Sequence, residues 1–423
     1  MHFMKWRLPL VIFLAFLVAV GLAAQSLEVV PPRAPIDEPV TIRATGLAPN
    51  ERVTIYAELT DGGGQPWSSQ ADFVADAQGV VDASKQAPLA GSYKEVSAMG
   101  LIWSMMPVKK GVNAYVATRN FAPQTVDFHL TRQGKDTATA HLEQVTLADG
   151  VQHSRVHDDG LHGVYFVPPG TGHHPAVLVV GGSNGGVPLR QAAWLASHGY
   201  IALALAYFRY EDLPSQLESI PLEYFQRALQ WMVARPEIGD SRIAVLGTSR
   251  GGELVLQLGS MFPRIGAVVA YVPANVRIAS CCRQTGGPAW TWQGRALPYV
   301  IPRQRNSASS GPAIIEVENT KGPILMISGE GDHLWNSWEM ADEVVARLKS
   351  HHFPYSFENL KYPRAGHMAG RQEFSPTWHG AIRNPTSGRE NDLGGSAEGD
   401  AKSSFDSMPK VLEFLRKSFA VSQ

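Results

Sequence analysis

The sequence predicts an α/β chain in two parts: an N-terminal, Ig-like antiparallel β-sandwich, then a parallel sheet covered by helices on both faces. Three observations carry this. Residues up to about 144 hold short alternating runs bounded by Gly- and Pro-containing turns. From about 145 onward, apolar strand-like runs alternate with helical ones. One of those runs, from Ile243, ends in Gly247-Thr-Ser249-Arg-Gly251 and passes at once into the helix-forming stretch Glu253 to Leu258.

The elements follow in order. Lys5 and Arg7 precede an apolar run from Leu8 to Leu22, which closes on Ala23-Ala24. A basic start, a run too short for a span of about 20 residues and small residues at its end predict a cleaved signal peptide over 1–24. The expected destination is the periplasm or the exterior; an uncleaved membrane anchor is the alternative. No cysteine follows the run, which speaks against a lipoprotein. The sandwich is expected over 25–144. Val40–Ala44 and Val53–Leu59 alternate as half-buried strands do, and Gly46–Asn50 and Asp61–Gly64 supply the turns. Ala71–Val74 and Gln124–Leu130 continue the spacing, and no catalytic constellation appears in this part.

The second domain is expected over 145–423. Its strand–helix pairs are Ala176–Val180 with Leu189–Ser197, Tyr200–Ala206 with Leu222–Ala234, and Ile243–Gly247 with Gly252–Ser260. Ala267–Val272 follows, then an irregular insertion over 273–320 in the place of a cap or substrate loop. Ile324–Ser328, Trp338–Ser350, Tyr355–Tyr362 and a helix near Phe405–Ser418 complete the pattern.

Bulk composition narrows the function. Hydrophobic residues make up 44% and charged ones 18%, so a large core is available. A formal charge of −1 gives no basis for nucleic-acid binding, and a membrane is expected only through the N-terminal segment if it stays uncleaved. The two cysteines, Cys281 and Cys282, are adjacent; two thiols in a loop are expected rather than a strained vicinal disulfide. No metal-ligand spacing is present, and no cofactor or metal is expected.

The chemistry converges on Ser249. A serine at the apex of a strand–turn–helix is the nucleophile elbow of an α/β-hydrolase, with small residues on either side to let strand and helix approach. A second G-x-S-x-G, Gly181-Gly-Ser183-Asn-Gly185, follows an earlier strand, where such domains place an oxyanion loop. Ser249 is therefore the nucleophile. The Arg250 N–H and a backbone donor at Ser183 are the expected oxyanion hole. A serine hydroxyl needs a base, and in this fold the acid and then the histidine come later in sequence. Asp332 follows the run Ile324–Gly329, with Glu330 and His333 as near competitors, and His367 follows Tyr355–Tyr362. Ser249, Asp332 and His367 are the expected triad.

On these residues the chain resembles the acyl-CoA thioesterase and bile acid-CoA:amino acid N-acyltransferase family. The likeness is carried by Gly91-Ser-Tyr, Met99–Pro107, Ala204–Phe208, Tyr210–Pro214, Leu222–Phe225, Gly247–Leu254, Gly331–Trp335 and Tyr362–His367. It implies a sandwich joined to an α/β-hydrolase, and the same triad, acting on an acyl thioester. Acyltransferase members resemble the chain but use cysteine as nucleophile, so a serine favours hydrolysis. Thioester hydrolysis through an acyl-serine is thus the leading expectation. A secreted carboxylesterase acting on oxygen esters and an amino acid N-acyltransferase are the alternatives; a non-catalytic envelope protein would require a broken triad.

Overall fold

The computed structural model describes residues 25–239, 242–281, 286–301 and 311–420; the expected signal segment lies outside them. The N-terminal part is a sandwich. One sheet joins Ser26–Val30, Thr41–Thr45 and Val81–Asp82. The other is seven-stranded, built around the long antiparallel strands Arg52–Thr60, Pro66–Val74, Gln124–Arg132 and Lys135–Val145. Arg52–Thr60 buries every second residue, Val53, Ile55, Ala57 and Leu59, as a strand with one face on a core must.

The second part holds an eight-stranded sheet. Its strands are β1 Gln152–Val156, β2 His162–Val167, β3 Ala176–Val180, β4 Ile201–Ala206, β5 Ile243–Thr248, β6 Ile265–Tyr271, β7 Ile324–Gly329 and β8 Phe357–Tyr362. Their order is β1-β2-β4-β3-β5-β6-β7-β8. The first two, absent from the sequence reading, pair antiparallel at one edge; every pairing from β4 onward is parallel.

The central strands β3, β4, β6 and β7 are buried along their whole length, because helices cover both faces. On one face, Val177 and Val179 pack with α1, Leu189–Ser197, and α5, Ala397–Ala420. On the other, Leu178 and Val180 pack with α2, Glu223–Val233, α3, Arg250–Met261, and α4, Ser337–Ser350. The sandwich core is continuous with the first face. Asp37 fastens the two parts: its Oδ2 accepts from Trp194 Nε1 and lies against His198 Nε2, both at 2.7 Å.

Two expectations are corrected. Helix α5 begins at Ala397, not near Phe405. Its first turns, Ala-Glu-Gly-Asp-Ala-Lys-Ser-Ser, carry no apolar stripe, yet Asp400, Ser403 and Ser404 are buried and hydrogen-bonded. Cys281 is disulfide-bonded rather than a free thiol; Cys282 lies outside the described residues.

Candidate active site

Strand register gathers the site at one sheet edge. Val180 at the end of β3 pairs with Gly247 of β5, Thr248 pairs with Tyr271 at the end of β6, and Gly329 of β7 pairs with Tyr362 of β8. The segments that follow these residues hold Gly181–Gly186, Ser249, Asp332 and His367, so four loops distant in sequence meet at the carboxyl ends of the strands.

Ser249 stands between β5 and α3 at φ 60°, ψ −118°, a region that L-residues other than glycine rarely occupy. Its N–H donates to Tyr271 O at 2.9 Å, and its carbonyl accepts the first helical bond, from Glu253 N at 3.0 Å. Glycine at 251 is obligatory for packing: a Cβ there would sit 2.5 Å from Gly181 O and 2.8 Å from Val180 O. Gly182 lies directly over the serine, since a Cβ on it would come 3.2 Å from Ser249 Cβ.

His367 Nε2 is 2.9 Å from Ser249 Oγ, and its Nδ1 is 2.8 Å from Asp332 Oδ2. A carboxylate only accepts, so Nδ1 carries the proton and the Nε2 lone pair faces the serine hydroxyl. Asp332 Oδ1 is held in turn by the N–H groups of Leu334 at 2.9 Å and Trp335 at 3.3 Å. The Trp335 indole meets the imidazole edge-on, with ring centres 5.1 Å apart. All three residues are buried. The neighbours Glu330 and His333 point elsewhere, toward Lys361 and Asp392.

The histidine loop is anchored by residues that sequence reasoning missed. Asp400 Oδ1 accepts from Gly366 N at 2.8 Å, and Ser403 Oγ accepts from Gly370 N at 2.9 Å. Small polar residues in a helix look solvent-facing, so only the fold reveals them.

Of the two expected oxyanion donors, Arg250 directly follows Ser249 and Ser183 lies in the loop whose Gly182 covers it. Arg250 is the first residue of α3, where N–H groups have no intrahelical acceptor. Ser183 follows Gly182, and its loop is held at several points. The Gly182 carbonyl accepts from Gly185 N at 3.2 Å. Because the peptide is planar and trans, this turns the Ser183 N–H to the opposite side. Tyr207 donates its hydroxyl to Gly181 O at 2.7 Å, and burial pushes that hydroxyl's pKa well above its ordinary value, so it remains a donor. Asn384 Nδ2 reaches Ser183 Oγ at 3.2 Å, and Thr386 Oγ1 donates to Ser183 O at 3.1 Å.

The Arg250 side chain turns away from the site. It pairs with fully buried Glu253 at 2.9 Å and donates to the carbonyls of Ala279 and Ile278, both at 2.8 Å. Glu253 also accepts from Trp290 Nε1 at 2.7 Å. Burial raises the Glu253 pKa, against the lowering pull of Arg250. This pair clamps the insertion onto α3.

A cavity of about 480 Å³ opens beside His367, between Ile36 of the sandwich, Thr146 just past its last strand, the Gly181–Gln191 segment and the loop Met368–Glu373. The sandwich therefore contributes to this cavity. The described part of the insertion, expected as a cap or substrate loop, does not line it.

At the same edge, where His162 of β2 pairs with Ala206 at the end of β4, His157, His162 and Glu211 bring ligand-capable atoms within 4.8 Å of one another. There Glu211 is paired with Arg155 and lies 2.8 Å from His162 Nδ1.

Strand order and the hydrogen-bonded serine at the elbow make the second domain an α/β-hydrolase. Among solved structures, a puromycin-hydrolysing peptidase of Mycobacterium tuberculosis aligns at 13% identity with a TM-score of 0.43, over 85% of this chain and 53% of its own. The family assignment comes from sequence. The N-terminal region of the acyl-CoA thioester hydrolase/BAAT family matches residues 37–158, and its C-terminal region matches 220–420. Acyl-coenzyme A amino acid N-acyltransferase 1 of Mus musculus is 32% identical over 403 residues, 92% of this chain and 96% of that protein. Acyl-coenzyme A thioesterase 1 of Homo sapiens is 31% identical over 357 residues, 78% and 82% of the two chains. Peroxisomal succinyl-coenzyme A thioesterase of Mus musculus is 29% identical over 404 residues, 90% and 93%. The chain belongs to the acyl-CoA thioester hydrolase/BAAT family.

Proposed function

We propose that this protein is a serine hydrolase that cleaves acyl thioesters, acyl-CoA among them, through an acyl-Ser249 intermediate. The observation that carries the reading is the buried hydrogen-bonded chain from Ser249 through His367 to Asp332, in a member of a thioester-hydrolase family.

The steps follow from the atoms. Ser249 Oγ attacks the thioester carbonyl while His367 Nε2 takes its proton; Asp332 holds the tautomer and stabilises the imidazolium. The expected donors to the developing oxyanion are the N–H groups of Arg250 and Ser183. The thiolate leaves with the proton from His367. Water then attacks the acyl carbonyl while His367 takes its proton; the bond from the acyl carbon to Ser249 Oγ breaks, His367 returns the proton to Ser249, and the carboxylic acid leaves.

Amine transfer is the second reading, because N-acyltransferases stand among the relatives. Ser249 favours hydrolysis: an oxygen-ester intermediate is less prone to aminolysis than the thioester a cysteine would form. The test is a panel of acyl-CoA, matched p-nitrophenyl esters, and acyl-CoA with glycine or taurine. Free acid from acyl-CoA, abolished in Ser249→Ala, supports the proposal. Acyl-glycine or acyl-taurine as the main product overturns it in favour of transfer, and turnover of p-nitrophenyl esters alone favours a carboxylesterase.

We also propose export, on the basic start and the apolar run Leu8–Leu22. N-terminal sequencing with cell fractionation tests it: a mature protein starting near Gln25 supports export, and an intact Met1 in the cytoplasmic fraction contradicts it.

A further inference from the structure

We propose that the cavity beside His367 is an anion-recognising subsite, in which Arg190 and Arg371 receive a carboxylate, phosphate or sulfonate carried by a reactant. The inference rests on the hydrolase reading above and adds a substrate class to it.

The lining shows the imbalance. Among the residues around the cavity, the permanently charged groups are Arg190, Arg371 and Glu373: two cations against one anion. Glu373 is 6% exposed and divides itself between them. Its Oε2 accepts from both Nε and Nη2 of Arg190. Its Oε1 accepts from Arg371 Nη2 at 2.9 Å and from Ser375 Oγ at 3.0 Å. Both carboxylate oxygens are thus occupied. Among the described residues, Arg371 is bonded through Nη2 alone, which leaves Nε and Nη1 for an incoming oxygen.

The cavity lining therefore carries one cation more than it has anions, in a half-enclosed space beside His367. A guanidinium in that position has the fork geometry that carboxylate, phosphate and sulfonate oxygens match, and a concave wall of low dielectric strengthens the field. The neutral remainder fits the same use. Asn184, Gln191, Thr248 and Gln372 add polar groups, while Val187, Leu189 and Trp194 provide an apolar wall for the rest of the molecule. A chain of methylene groups ending in an anion fits this mixture better than an unbroken hydrocarbon tail.

The anion could belong to the acyl part, to the leaving thiol or to an acceptor amine, and the experiment separates these sources. Three pairs are compared on the full-length enzyme: an ω-carboxyacyl p-nitrophenyl ester with its methyl-ester analogue, acyl-CoA with the acyl thioester of N-acetylcysteamine, and glycine with ethylamine as acceptor. The readout is the ratio of kcat/KM, anionic over neutral, in the parent and in Arg371→Met. The ratio is expected to fall about tenfold in one pair, the size of one lost charge-assisted bond, carried by KM. That pair names the source. Arg371→Lys, which keeps the charge without the fork, should fall between. Binding is read independently of turnover by the thermal shift of Ser249→Ala with glutarate or inorganic pyrophosphate, a shift that the added Arg371→Met should abolish. Ratios unchanged within about twofold in all pairs, with no thermal shift, overturn the subsite and leave Arg190–Glu373–Arg371 as a structural clasp. A parent enzyme inactive on every ester and thioester, with the Arg371-dependent shift still seen in Ser249→Ala, would count against the hydrolase reading instead.

Discussion

Asp332→Asn isolates what the aspartate does. In the parent, Asp332 Oδ1 accepts from two backbone N–H groups, Leu334 and Trp335, and Oδ2 faces His367 Nδ1 at 2.8 Å. An asparagine has one oxygen. The two backbone donors fix where it goes, at the former Oδ1 position, because an NH₂ group there would face two donors. The amide NH₂ then points at His367 Nδ1 and donates to it. That selects the tautomer with the proton on Nε2, which faces Ser249 Oγ and can no longer accept. The geometry survives while the base is lost. The expected loss is about 10⁴-fold in kcat, equivalent to about 5.5 kcal/mol of barrier at 1.36 kcal/mol per decade. The assay is thiol release from acyl-CoA, paired with a melting curve to show that folding is intact. A folded variant retaining more than about a tenth of the parent kcat would refute the reasoning and place the orienting carboxylate elsewhere.

Tyr207→Phe removes the donor to Gly181 O without emptying the space, so kcat should fall about fivefold to tenfold with KM little changed; a KM effect alone would mean Tyr207 contacts substrate. Gly251→Ala forces a Cβ to 2.5 Å from Gly181 O, both on rigid backbone, so the melting temperature should drop by more than about 5 °C and activity should be lost; a fully active, equally stable variant would contradict the elbow packing. Glu373→Gln tests the clasp through pH. Burial alone would raise the Glu373 pKa, but Arg190 and Arg371 outweigh it and hold the folded value below 4.5. A depressed carboxylate stabilises the fold above 4.5 and loses that contribution as pH falls through the folded value. The Tm gap between parent and variant should therefore be widest near neutrality and narrow below about pH 4.5; a gap that widens in acid has the wrong sign.

The parts of this architecture legible in the sequence were those where local pattern and tertiary role agree. Runs such as Ala176–Val180 and Ile243–Gly247 are apolar throughout because both faces are covered, and the Gly-x-Ser-x-Gly turn announces its own strain. Asp332 and His367 could be placed because each follows a strand end, where loops meet the active edge. The antiparallel strands Gln152–Val156 and His162–Val167 were not legible: the first is mostly exposed and polar, and edge strands carry weak pattern. The start of α5 was hidden for the opposite reason. Asp400 and Ser403 are polar yet buried, since their partners are backbone N–H groups of the histidine loop, 33 or 34 residues away in sequence. The Arg190–Glu373–Arg371 cluster joins residues up to 183 positions apart, a separation that no local pattern encodes.

The central claim is a covalent acyl group on Ser249, and mass spectrometry of the acid-quenched enzyme during turnover of a slow acyl thioester tests it most directly. The account predicts one acyl adduct, mapped to the peptide containing Ser249, formed before steady state and absent from Ser249→Ala. An adduct on Ser183, or steady turnover in Ser249→Ala, would contradict it.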